Sequence, residues 1–320
     1  MNMYKINIRP LGSFYSLIKG DMLFGTFCRT LSDSFGKDRL KQCLNGYTQG
    51  NPFTIFSDAF PSDYLPKPTL PFTYYAKNNG EEDKNPIKNR KENKRKKWIP
   101  TDKITLSSAE MSSFFEENNY FSKVLRTSVH LDPKTHHTTG GKYSAYTAEQ
   151  FIYSDELTLT VYVLIDEARI TTAEVQSLIK KIGQVGYGRK ASSGYGKFDI
   201  VNDLQKVDFS AAASDSYLTL APCVPQLDIF DKDKSFYHIF VRFGRHGGTA
   251  AISENPFKKP VMTADTGAVF TLKSTQNADK YLKFIGTGIT AVSQAEPDTV
   301  FQGYAPVIPL NLTEVKDDRE

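Results

Sequence analysis

The sequence predicts an α+β protein of two domains. Three observations lead there: an alternating segment followed by an amphipathic helix at the start of the chain, a second strand, helix, strand unit between about residues 156 and 201, and a remainder that reads mostly as strand. With 320 residues, 39% of them apolar, the chain can bury a substantial core, and its length suits two compact halves.

From Tyr4 to Arg9, Ile6 and Ile8 share one face of an alternating strand. After the loop Pro10 to Lys19, Asp21 is placed to cap a helix on which Leu23, Phe24, Phe27, Cys28, Leu31 and Phe35 recur at helical spacing. Gln42 to Leu70 is rich in Gly, Pro, Asn and Asp, which predicts ordered loop and short strands. Lys77 to Lys97 has no apolar periodicity; it is either a solvated insertion or an arm that orders on nucleic-acid phosphates. Leu157, Leu159, Val161, Val163 and Ile165 then alternate with Thr and Tyr in a long strand. Thr171 and Glu174 form a capping box, after which Val175, Leu178, Ile179 and Ile182 share one helix face, Lys180 and Lys181 lie in the last turn, and Gly183 stops the helix. Lys197 to Val201 is the next strand. With one more strand in the middle region the order is βαββαβ, the ferredoxin-like or RRM-like arrangement.

The first domain thus spans 1–205, with a basic insertion at about 77–98, and the second spans 206–320. Strands are expected in the second at Tyr217 to Leu220, Phe236 to Phe243, around Val261, Val269 to Leu272 and Tyr304 to Leu310, with a hint of helix at Asp279 to Phe284. It reads as a sheet-rich, degenerate copy of the first.

The formal net charge is +4, but Lys84 to Lys97 alone carries eight basic residues and one acid, so the rest of the chain is slightly acidic. Cys28, Cys43 and Cys223 form no close pair and suit buried thiols in a reducing compartment, not a disulfide framework or zinc site. The start of the chain alternates where a signal peptide would be apolar, and no run approaches the ~18 apolar residues of a membrane span. A cytoplasmic protein with no membrane partner is expected.

The run Gly186-Tyr-Gly-Arg-Lys-Ala-Ser-Ser-Gly-Tyr-Gly196 sits between a helix and a strand. Few side chains obstruct its backbone, so its amides can approach a phosphodiester while Arg189, Lys190, Ser192 and Ser193 add charge and hydrogen bonds without reading sequence. A P-loop or dinucleotide fingerprint needs its glycines to open a helix, and these follow one. The aromatic strand of an RRM precedes the second helix, whereas Gly194-Tyr-Gly-Lys-Phe follows it. A tight turn with no ligand is the remaining alternative. Tyr187 and Tyr195 either stack on a base or pack under the loop. In the second domain Arg242, Arg245 and His246 precede Gly247-Gly248, which could line the same groove or form a hairpin turn.

The glycine-rich loop in this position resembles the hallmark of the RAMP superfamily of CRISPR proteins. Gly20-Asp-Met-Leu-Phe-Gly-Thr-Phe-Cys, Ser57-Asp-Ala-Phe-Pro with Leu65-Pro-Lys-Pro, the Val129 to Phe151 region, Lys259-Pro-Val, Gly267-Ala-Val-Phe and Gly303-Tyr-Ala-Pro-Val-Ile-Pro-Leu are similar, in this order, to segments of the subunits that cap the crRNA 5′ end in type III-A (Csm) effectors. The resemblance implies two ferredoxin-like domains, a β-hairpin thumb at about 128–152, binding of the crRNA 5′ tag with target RNA nearby, and contacts with the large polymerase-type subunit and backbone RAMP subunits. The candidate RNA-contacting residues are Gly186, Tyr187, Gly188, Arg189, Lys190, Ser192, Ser193, Gly194, Tyr195 and Gly196, with Lys19, His136, His137, Arg242, Arg245 and His246. In the thumb, Pro133-Lys134 and His136-His137 replace the family's usual basic residue.

Some RAMP proteins cleave RNA with a histidine general base near the start of the first domain; here no histidine precedes His130. Asp132 is read as structural. The alternative reading is an endoribonuclease processing repeat RNA with His136 and His137 as acid and base. Adjacent histidines cannot both face one ion from a strand, and no GGDD-like turn is present, so neither metal, cofactor nor enzyme activity is expected.

Overall fold

The fold is a computed structural model describing residues 1–75, 91, 93–129, 131–132, 134–138, 145–209, 214–273 and 282–312. Most of the basic insertion, His130 and Pro133 lie outside the described residues.

Strand β1 (Asn2–Pro10) leads to α1 (Gly20–Phe35) and α2 (Lys37–Leu44). The middle strand required by the βαββαβ order is β2 (Thr54–Pro61). Two short strands, β3 (Tyr64–Pro66) and β4 (Trp98–Pro100), pair with each other, and α3 (Ser108–Met111) follows. A hairpin of β5 (Phe121–Val129) and β6 (Ala145–Tyr153) precedes β7 (Leu159–Ile165), α4 (Thr172–Val185), β8 (Phe198–Ile200) and β9 (Gln205–Lys206). The first sheet has the order β2-β7-β1-β8, all pairs antiparallel, with β9 also on β1. It runs through Lys206, one residue past the expected boundary at 205.

The second half contains β10 (Ser216–Thr219), β11 (Ile239–Arg242), β12 (Val261–Ala264), β13 (Val269–Thr271), β14 (Phe284–Gly286) and β15 (Tyr304–Leu310). Four of them form a sheet in the order β13-β10-β15-β14, and β11 pairs with β12. Among its described residues there is no α-helix. The helix expected at Asp279 to Phe284 is replaced, in its described part, by the approach to β14; Phe284 and Ile285 pair with Pro306 and Ala305.

Every residue of β7 is buried, including Thr160, Tyr162 and Leu164, which alternation alone would have turned to water. Helices α1 and α4 pack on the sheet, while β15 packs against β2 and β7. The main apolar core accordingly mixes Ile6, Phe27 and Val163 with Leu218, Tyr304 and Ile308.

Local signals act as follows. The Thr171–Glu174 capping box forms, and Val175, Leu178, Ile179 and Ile182 are buried. Gly183 does not stop the helix: it lies within it because a Cβ there would fall 2.2 Å from Phe198 O, and Gly186 ends it instead, leaving Lys180 and Lys181 short of the last turn. On α1, Leu23, Phe24, Phe27 and Leu31 are buried but Phe35, the last residue of the helix, is exposed. Asp21 does not cap α1; it lies in the first turn with its side chain turned into the joint between the halves.

Candidate nucleic-acid interface

Beyond α4 the backbone takes positive φ at Gly186, Gly188, Lys190, Gly194 and Gly196, folding the loop back on itself. The Tyr187 amide donates to Gly196 O at 2.9 Å and the Gly196 amide to Ser13 O at 3.1 Å, so both ends are pinned. Arg189, Ser192, Ser193 and Gly194 form an exposed rim, with the Arg189 amide on Ser16 Oγ at 3.2 Å. The amides of Gly188 and Lys190 meet no acceptor among the described residues. This is backbone accessible to an anion, flanked by a cation and hydroxyls.

Tyr187 is not a base platform. Its ring is fully buried and its hydroxyl accepts the Lys19 amide at 3.1 Å; burial pushes its pKa well up. Tyr195 is half-buried, edge-on to Tyr15 with centroids 4.8 Å apart. Lys190 points its ammonium at Tyr15 and at Tyr146 of the thumb, 4.3 and 5.0 Å from the ring centroids. A hydrogen bond to Tyr146 is the main cause holding its pKa above the ordinary lysine value. Lys190 therefore links loop and thumb.

The β5–β6 hairpin, in the region of the thumb expected from about 128, begins at Phe121, which packs on Phe151 and Tyr153 at its root. Phe14 and Phe151 exchange backbone hydrogen bonds at 2.9 and 2.8 Å, and Gln150 Nε2 donates to Ser13 Oγ at 2.5 Å. At the tip, Asp132 Oδ1 accepts the amides of Lys134 and Thr135 at 2.7 and 3.1 Å and so shapes the turn. His136, at positive φ, and His137 are exposed there.

The cations assigned to RNA elsewhere divide. Arg245 is exposed. Lys19 and Arg242 are already ion-paired within the protein: Lys19 lies between Asp58 and Asp265, and Arg242 is forked onto Asp21. Burial alone would lower the Lys19 pKa, but the two carboxylates outweigh it and raise it. Nor does Gly247-Gly248 make a tight turn between β11 and β12; these glycines lie under the guanidinium of Arg29, which sequence reasoning missed. Arg29 is on the exposed side of α1, seven residues after Met22, which approaches Gly188. Reading the polar stripe of α1 beside its apolar one would have drawn attention to it.

His246 is also turned inward, with Nε2 2.6 Å from Ser293 Oγ. Burial, then Lys258, lowers its pKa below the ordinary 6.5. Between that lowered value and 6.5 the unfolded chain binds more protons, so this histidine's contribution is present above about pH 6.5 and is lost as the pH falls. The slope it adds is at most about 1.4 kcal/mol per pH unit. Urea titrations from pH 7.5 to 5 should show a steeper loss for the native protein than for His246→Gln; equal slopes would remove the assignment.

Among the described residues, no cluster of His, Cys, Asp and Glu could hold a metal ion, and no helix is long and apolar enough to cross a membrane. No family profile and no curated protein matches the sequence. Solved structures do match over nearly its whole length. A chain of the Csm1–Csm4 cassette in complex with cA4 is 14% identical with a TM-score of 0.61, covering 97% of this chain and 98% of that one. The cassette with AMPPNP gives 14% and 0.60, covering 98% and 99%. The Csm3–Csm4 subcomplex of the type III-A CRISPR–Cas interference complex gives 14% and 0.57, covering 97% and 100%. The fold is that of a type III-A CRISPR–Cas subunit. Spanning 97% of the chain, the likeness takes in both sheets, so the type III-A subunit fold accounts for the two halves together.

Proposed function

We propose that this chain is the Csm4-type RAMP subunit of a type III-A effector complex, acting in the cytoplasm as a non-catalytic RNA-binding scaffold. It is built on two ferredoxin-like domains, the second degenerate. It binds the 5′ tag of the crRNA and bridges the large polymerase-type subunit to the first backbone subunit, with target RNA close by. Csm4 is the name common to the matching Csm1–Csm4 and Csm3–Csm4 assemblies. The observation that carries the RNA-binding reading is the exposed rim of the glycine-rich loop, where the amides of Gly188 and Lys190, without an acceptor among the described residues, lie beside Arg189, Ser192 and Ser193. The exposed Arg245, and the exposed Arg29 that stands 3.6 Å from Asp33 on α1, are taken into the same reading.

The partner-binding reading draws on β11 and β12. Ile239, Val241 and Phe243 are exposed on alternate positions, Met262 pairs opposite Val241, and Phe243 is 76% exposed. A patch of this kind suits protein contact and not phosphate.

Co-expression with the neighbouring subunits, followed by RNA crosslinking and peptide mapping, tests the whole proposal. The expected crosslink joins the 186–196 loop to the crRNA 5′ tag, and an RNA-free complex overturns the reading. In binding titrations at several salt concentrations, Arg189→Ala and Arg29→Ala should each reduce the salt slope by about 0.7, one single-strand phosphate contact. A slope equal to that of the native protein would remove the residue concerned from the interface.

A further inference from the structure

Five charged side chains from both halves meet one hydrogen bond away from the glycine-rich loop. Lys19 Nζ lies 2.9 Å from Asp58 Oδ2 and 2.8 Å from Asp265 Oδ1. Asp58 stands in the bulge of β2, where its amide donates to Leu220 O of the second half at 2.8 Å. Its other oxygen accepts the Gly20 amide at 2.8 Å, so a carboxylate from a strand caps α1 where the N-cap residue, Lys19, makes no side-chain cap. Thr266 Oγ1 completes the Asp58 shell at 2.5 Å. One residue into the helix, Asp21 receives Arg242 Nε and Nη2 at 2.5 and 2.9 Å. Gly20 permits this crowding: a Cβ there would lie 2.2 Å from Phe56 O.

The cluster reaches the loop through a short route. The Lys19 main chain that carries the ammonium also donates its amide to Tyr187 Oη, and Tyr187 is the buried ring on which the loop rests. A forked ion pair and a shared carboxylate are directional, so they set where the first turn of α1 sits as apolar contacts do not.

We propose that Lys19, Asp21, Asp58 and Arg242 are positioning residues for RNA binding, fixing the attitude of the glycine-rich loop through Tyr187 without touching RNA. The proposal rests on the RNA-binding reading above. It makes the second half an obligate part of the site while assigning Lys19 and Arg242 no phosphate contact.

The test replaces the forked pair by apolar residues, Asp21→Leu with Arg242→Met, a change that buried ion pairs often tolerate in stability. Hydrogen exchange of the 186–196 amides in the RNA-free protein should quicken by about tenfold or more, a loosening of about 1.4 kcal/mol at the loop. RNA affinity should fall by about tenfold with the salt slope unchanged. Native-like exchange and affinity at matched stability would reduce the cluster to a structural role. A slope lowered by about 0.7 would make Arg242 a phosphate contact, against the proposal. Should the double variant fail to fold, Arg242→Lys keeps the charge and loses the fork; a loop as protected as the native one would then overturn the idea. If the native protein binds no RNA, the functional reading fails, while the exchange comparison still decides whether the cluster positions the loop.

Discussion

Replacing Arg242 by Ala should cost about 3–5 kcal/mol of unfolding free energy, measurable as a drop in the urea midpoint at unchanged m-value. The reason is what it leaves behind. Asp21 is fully buried on its side chain, and Arg242 is only 17% exposed and supplies two hydrogen bonds to it. Without the guanidinium, a carboxylate remains in the joint with its main cation gone. The reverse substitution, Asp21→Ala, should cost less, because the partly exposed Arg242 can turn to water. Removing both charges together should cost least of all. If Arg242→Ala unfolds at the native midpoint, the pair is not the buried clamp its geometry indicates.

The second large effect is expected at Gly196→Ala. With φ at +74°, an added Cβ would lie 2.1 Å from Tyr187 O and 2.8 Å from Tyr187 N, both backbone atoms that cannot move aside. Left-handed strain of about 1–2 kcal/mol and overpacking of about 1–3 kcal/mol together predict a loss of about 2–5 kcal/mol. RNA binding should be lost with it, since the Tyr187–Gly196 closure gives the loop its shape. Gly194→Ala is the internal control: its φ is +88° but nothing lies within 4 Å, so only the strain of about 1–2 kcal/mol applies. Equal unfolding midpoints for the two alanine variants would contradict the crowding argument.

Much of the fold was legible in local patterns. The strand reading of Tyr304 to Leu310 and the capping box at Thr171 each led to the observed element, because strand and cap signals are written in neighbouring residues. Helix α2 was missed: its apolar face is only Leu40, Cys43 and Leu44 over two turns, too short a repeat to stand out from the polar residues around it. Strand β2 was hidden by Pro61 and by a bulge that turns Ser57 and Asp58 out of the ladder. The exposed rim of the site was legible too, as glycines, a cation and hydroxyls in one loop. What sequence could not show was which cations were already committed. Lys19 and Arg242 look like any other basic residue beside a glycine, and their partners Asp265 and Asp21 are more than two hundred positions away. Tyr187 left two readings open, and burial decided between them.

The complete burial of β7 also constrains how the chain leaves the ribosome. Leu159–Ile165 emerges with one face ready for α1 and α4, but β15 is translated about 140 residues later, roughly 7–30 s at ordinary synthesis rates. For that interval the nascent chain displays an apolar sheet surface that a trigger-factor-like chaperone, or a partner subunit made alongside, has time to shield.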